Sequence, residues 1–248
     1  MTPRRFIIMH RTNAHWESGA APSAALIARV GEMLGGLANL GLLLGAEGLR
    51  ASAEGVRLRF AAGQRTVING PFDGEHALPA VFSILRAASL DDAIEWASRQ
   101  AEALGDVEPI ELDIRPVSEP WDIGMAPAPA GIAARRYMVL RNATPFTESG
   151  ETPSAPQRAE LKRLADEETG RVGHIVSETM RPSRKGRRYK NAKDGISVLD
   201  GPFTETKELI AGYIIVSSES LDNAGRWAEQ YLRVVEAEEV EVRELGEA

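Results

Sequence analysis

Apolar residues along this chain switch between strand-like and helix-like spacing, and they run through the same series twice. Arg4–His10 and Arg135–Arg141 are short apolar runs bounded by charge, which predicts strands. Ser23 is placed to cap a helix running to about Leu40, with Leu26, Ile27, Val30, Met33, Leu34 and Leu37 on its inner face. Ser154 caps the matching helix, marked by Leu161, Leu164 and Ala165. Strands follow at Leu42–Leu49 and His174–Met180. The first half continues with Val56–Phe60 and Arg65–Ile68, turning at Ala62-Gly63, while the second has a polar hairpin, Arg181 to Lys193, leading to Gly195–Leu199. After strands Ala80–Leu85 and Leu209–Ser217, Ser89 and Ser220 cap two further helices, with Asp91, Asp92 and Asp222 at the positive helix ends. Trp96 and Trp227 fall on the buried faces, and Ile110–Arg115 and Val240–Leu245 are closing strands.

The two series register under a shift of 131 residues, from Arg4 to Arg135. Asn69-Gly70-Pro71-Phe72 falls on Asp200-Gly201-Pro202-Phe203, Ser89-Leu90-Asp91 on Ser220-Leu221-Asp222, and Trp96-Ala97 on Trp227-Ala228. Coincidences of that kind in one register predict a tandem duplication: 1–117, a linker 118–134 rich in proline and glycine, and 135–248. Trp121, inside the linker, is expected to pack on one of the units. Each unit reads β-α-β-β-α-β with extra hairpin strands, an α+β, ferredoxin-like plan. Helices cover one face of each sheet. The other face is apolar too, so the economical arrangement packs sheet on sheet as a pseudo-dimer within one chain.

Composition narrows the chemistry. With no cysteine there is no disulfide, thiol catalysis, Cys-ligated zinc or iron–sulfur cluster, and a reducing cytoplasm is the expected compartment. The most apolar stretch, Met33 to Ala46, is too short to span a bilayer and is interrupted by glycine. The run Phe6-Ile7-Ile8-Met9 is too short for a signal-peptide core. A net charge of −7 opposes nucleic acid and anionic membrane as partners. No dinucleotide-binding, phosphate-loop, nucleophile-elbow or zinc-protease motif occurs, so no cofactor is expected.

The second half carries Glu178-Thr179-Met180-Arg181-Pro182-Ser183, then Asp200-Gly201-Pro202-Phe203-Thr204-Glu205-Thr206-Lys207-Glu208, Gly212-Tyr213, Leu221-Asp222 and Trp227-Ala228. This resembles the YCII-related, or DGPF-domain, family over Arg135 to about Leu245. The first half resembles it more weakly, keeping Gly70-Pro71-Phe72 but replacing Asp by Asn69 and the Thr-Glu-Thr-Lys-Glu run by Asp73-Gly74-Glu75-His76-Ala77. The resemblance implies units that assemble as a dimeric α/β barrel. It also implies a His–Asp pair as an active-site arrangement, but no settled substrate.

On that basis Asp200 and His174 are the acid/base candidates, and Glu178, Arg181, Glu205 and Lys207 the candidate ligand-binding groups. Strand alternation points His174, Val176 and Glu178 one way. The competing readings are plain: Asp-Gly-Pro is a turn, Glu205 and Lys207 a surface pair, and His174 a packed strand histidine. His10, His15, His76 and Glu47 match no metal-ligand spacing, so no metal is expected. Arg181, Arg184, Lys185, Arg187, Arg188, Lys190 and Lys193 crowd one hairpin, either a binding patch or a solvated face balanced by the acidic C-terminal stretch. Two functions compete: a small-molecule-binding protein with acid/base chemistry at the DGPF loop of the second half, or a noncatalytic regulatory module docking a transcription-related partner through its basic hairpin. Homodimerisation of the pseudo-dimer is compatible with either.

Overall fold

A computed structural model describes residues 3–73, 76–105, 109–167, 170–204 and 209–246. The first half runs β1 (Arg4–Arg11), α1 (Ala14–Glu17), α2 (Ala24–Asn39), β2 (Leu43–Gly48), β3 (Val56–Ala61), β4 (Gln64–Asn69), β5 (Pro79–Ala87), α3 (Leu90–Leu104) and β6 (Ile110–Pro116). The second repeats that order: β7 (Arg135–Asn142), α4 (Pro145–Ser149), α5 (Ala155–Asp166), β8 (Val172–Thr179), β9 (Arg187–Ala192), β10 (Gly195–Asp200), β11 (Ile210–Ser218), α6 (Leu221–Val234) and β12 (Glu239–Glu244). A 3-10 turn precedes β3 at Ser52–Glu54 and β9 at Ser183–Lys185. Ser23, Ser89, Ser154 and Ser220 all cap helices by accepting a backbone N–H at the third helical position.

The strands form two six-stranded antiparallel sheets, and neither belongs to one half. Sheet one is ordered β10-β9-β12-β1-β11-β2 and sheet two β4-β3-β6-β7-β5-β8. β1 lies between β11 and β12, and β7 between β5 and β6. The first β-α-β arm of each half thus completes the sheet of the other. Among the described residues both sheets keep open edges, at β10 and at β4, so the structure is not the closed barrel that the resemblance implied. Pairing stops at the polar edges β10 and β4, whose residues are mostly exposed.

Two cores lie under the helices. Phe6, Ile8, Ile214, Val216 and Val240 pack against Leu232 of α6, and Leu58, Leu85, Ile114 and Val139 against Ala93 and Trp96 of α3. A third lies between the sheets, built from Ile7, Met9, Phe82, Met138, Tyr213 and Leu245 among others, which is the expected sheet-on-sheet burial. Of the predicted inner face of α2 only Met33 and Leu37 are buried. The polar hairpin is largely strand β9. Tyr189 turns under α6 into the space that Gly225 leaves open, while Arg188 faces Glu241 of β12. The linker is pinned at its start: Glu119 is buried and binds Arg136, and Asp122 pairs with Arg135. Trp121 is half-buried. No helix of the described residues is long and apolar enough to cross a membrane.

Candidate functional site

The sequence-predicted site residues lie apart. His174 is on β8 of sheet two and Asp200 at the end of β10 in sheet one. Asp200 is 70% exposed and ion-paired with Arg187 at 2.6 Å, an arrangement worth little in water. His174 stacks on the Trp96 ring at 6.0 Å and shares a 2.8 Å hydrogen bond with Ser177. Burial lowers its pKa, partly offset by Asp166. The expected common face of His174, Val176 and Glu178 is broken by an irregularity: Val176 pairs with Ile84 but His174 with Leu85, so Ile175 bulges. His174 therefore faces the helices, while Glu178 faces the other sheet and pairs with Arg5 at 2.5 Å. Arg181 lies beside Glu244 at 3.5 Å and its carbonyl accepts from Arg243. Glu205 and Lys207 fall outside the described residues.

The Gly-Pro-Phe turns act as clasps between the sheets. Gly201 lies against the Ser183 carbonyl and Gly70 against that of Ser52, with no space for a Cβ at either. The next backbone donors complete each clasp: Phe203 N–H bonds Ser183 Oγ at 3.1 Å and Phe72 N–H bonds Ser52 Oγ at 3.2 Å. Each serine in turn donates to a glutamate leaving the opposite sheet, Ser183 to Glu148 after β7 and Ser52 to Glu17 after β1, both at 2.5 Å. Burial pushes the Glu17 carboxyl up, but the Ser52 bonds and the Arg115 charge outweigh it and hold it below its usual range. The phenylalanine rings lie under guanidinium groups, Phe203 under Arg188 and Phe72 under Arg57.

A cavity with room for a ligand lies elsewhere. It measures about 100 Å³ and lies on the helix side of sheet two, between the end of α3, the start of β6 and the β7–α5 connection. Leu104, Ile110, Phe146 and Pro153 form its apolar wall, and Arg141 of β7 enters it. Among the described residues no carboxylate pairs with this guanidinium, and its Nε is shut off from solvent without a hydrogen-bond partner. Burial alone pulls its pKa down to about 10, so it stays charged at neutral pH.

In sheet one the matching strand position is His10, and there the space is filled. His10 Nδ1 and the Tyr231 hydroxyl share a 2.9 Å hydrogen bond with the rings edge to face. Gly212 opposite leaves room for the imidazole. Burial, with Arg11 adding to it, lowers the His10 pKa to about 4. The folded chain then binds fewer protons than the unfolded chain between pH 4 and 6.5, so this stabilisation is present above 6.5 and lost as pH falls through 4. A drop from 6.5 to about 4 corresponds to on the order of 3 kcal/mol. Urea midpoints at pH 7 and pH 4 are expected to fall less for His10→Gln than for wild type. Equal falls would remove His10 from the acid response. The 131-residue shift between the halves sets Arg141 against His10. A cation closing an otherwise apolar strand was the available signal for this site.

Residues 136–247 match the YCII-related domain. The second half therefore contains a YCII-related domain, and its β7–β8 arm carries the Arg141 cavity. A search of curated proteins found no match to the chain.

Proposed function

We propose that the protein binds a small organic molecule, with the Arg141 cavity as its ligand site and the Gly-Pro-Phe turns as structural clasps. The observation carrying this reading is a charged guanidinium, unpaired among the described residues, in a mostly apolar cavity whose other polar lining is neutral. We also read the first half as a degenerate second copy of the domain. The repeated element order and the two matching clasps support that reading. Docking through the basic hairpin is the weaker alternative because its arginines are engaged inside the molecule. Arg184 donates to the Glu148 and Ser149 carbonyls, Arg187 to Asp200 and Asp222, and Arg188 to Glu241.

Thermal-shift screening against a metabolite library tests the site directly. A ligand at about 100 times its Kd stabilises by roughly 2.7 kcal/mol, a shift of several degrees. The shift should vanish in Arg141→Met and persist in His174→Ala and Asp200→Ala. The reverse pattern would return the site to the DGPF loop of the second half. Arg141→Met itself is expected to fold, since replacing a buried unpaired charge by an apolar chain of similar reach is neutral or stabilising.

A further inference from the structure

We infer that the ligand of the Arg141 cavity is a short-chain monocarboxylate, held by its carboxylate on the Arg141 guanidinium with its hydrocarbon end against Leu104, Ile110 and Phe146. This rests on the reading that the cavity is the ligand site and adds its chemical class.

The polar groups around the cavity set the charge that a ligand can carry. Gln157 is neutral and largely engaged: one Nε2 N–H donates to the Leu104 carbonyl at 2.5 Å and its Oε1 accepts from the Ser154 N–H and hydroxyl. Thr144 and Thr147 are paired with each other, Thr147 Oγ1 accepting from the Thr144 N–H at 2.9 Å and donating to the Thr144 carbonyl at 3.0 Å. Arg141 is the one charged side chain among the described residues lining the cavity. A single guanidinium matches one carboxylate in a forked pair of charge-assisted hydrogen bonds. A second anionic group would meet no second cation among the described lining residues, only neutral amide and hydroxyl groups and hydrocarbon, and its charge would go uncompensated. Phosphate and dicarboxylates are therefore disfavoured. Size sets the other limit. A cavity of 150 Å³ in another protein encloses benzene, so about 100 Å³ takes a chain of a few carbons.

The test is titration of the full-length protein with butyrate, butyramide and inorganic phosphate, followed by the Arg141 Nε–Hε resonance and by thermal shift. Butyrate is expected to bind at least about tenfold more tightly than butyramide, with saturable movement of that resonance. In Arg141→Met the preference should collapse. Phosphate should not displace butyrate. Butyramide binding as well as butyrate, with both lost in the cavity-filling Phe146→Trp, would overturn the carboxylate class and leave the cavity as the site. Displacement of butyrate by phosphate would overturn it equally. If butyrate fails to bind the wild type but binds when Asp106 and Glu108 are changed to Asn and Gln, the guanidinium serves the chain's own carboxylates, and both the class and the site fail. If neither butyrate nor butyramide binds any variant, the inference fails, and the site then stands only on a library hit lost in Arg141→Met.

Discussion

Gly201→Ala is expected to leave little or no folded protein, at a cost above about 3 kcal/mol against a typical total of 5–15. A Cβ there would overlap the Ser183 carbonyl oxygen, which is main chain and has no rotamer to swing away. Relief requires moving the Ser183–Lys185 turn. That turn holds the Ser183 hydroxyl, which bonds both Phe203 N–H and Glu148. One methyl group thus opens a joint between the sheets, a larger insult than ordinary overpacking of about 1–3 kcal/mol. Gly70→Ala should behave alike, because the Ser52 carbonyl is equally close. The control is Gly35→Ala, on a helix with nothing near the added carbon, which is expected to stabilise by roughly 0.5–1 kcal/mol. Urea midpoints of the three variants decide the matter. A Gly201→Ala midpoint within experimental error of wild type would mean that the clasp adapts and that the motif's glycine needs another explanation.

The clasp shows what the sequence could and could not convey. Asn69-Gly70 and Asp200-Gly201 were legible as turns because glycine and proline punctuate the chain locally. Serine caps and helical spacing likewise marked every long helix. What the turns grip was not legible, since Ser183 and Glu148 meet them only through tertiary contact. The exchange of arms has the same origin. β1 carries an apolar pattern that suits pairing with β5 and β6 as well as with β11 and β12, because the halves resemble each other. Local pattern cannot choose between equivalent partners. The bulge at Ile175 reversed the facing of His174 by inserting one residue, which strict alternation does not foresee. Arg188 read as part of a solvated hairpin, yet its neighbour across the strand is the carboxylate of Glu241. Arg141 was visible as a charge at the end of an apolar run, but that no carboxylate among the described residues pairs with it is a property of three dimensions.

Glu241→Gln is expected to cost about 3–5 kcal/mol at pH 7, the range for breaking a buried ion pair from one side. The Glu241 carboxylate is wholly buried and takes Arg11 at 2.5 Å, Arg188 at 2.9 Å and Arg243 at 3.1 Å. Gln preserves the shape but leaves three guanidinium groups sharing Glu239 and Glu148 at longer range. Asp113 stands at the matching row of sheet two, across from Arg57 and Leu140 where Glu241 has Arg188 and Met9. Its neighbour at the Arg11 position is the neutral Asn142, which bonds Glu111 instead. Asp113→Asn therefore strands fewer cations and should cost less. The pH profile separates charge from packing. Burial raises the Glu241 pKa, but the three guanidinium groups outweigh it and hold the carboxyl below its ordinary value. Its contribution is then full above the unfolded value near 4.5 and is lost as pH falls through the lower folded value. The gap between wild type and Glu241→Gln in urea midpoint should narrow with acidification over that range. A gap that persists unchanged into strong acid would assign the loss to packing, because protonated Glu241 carries the same charge as Gln.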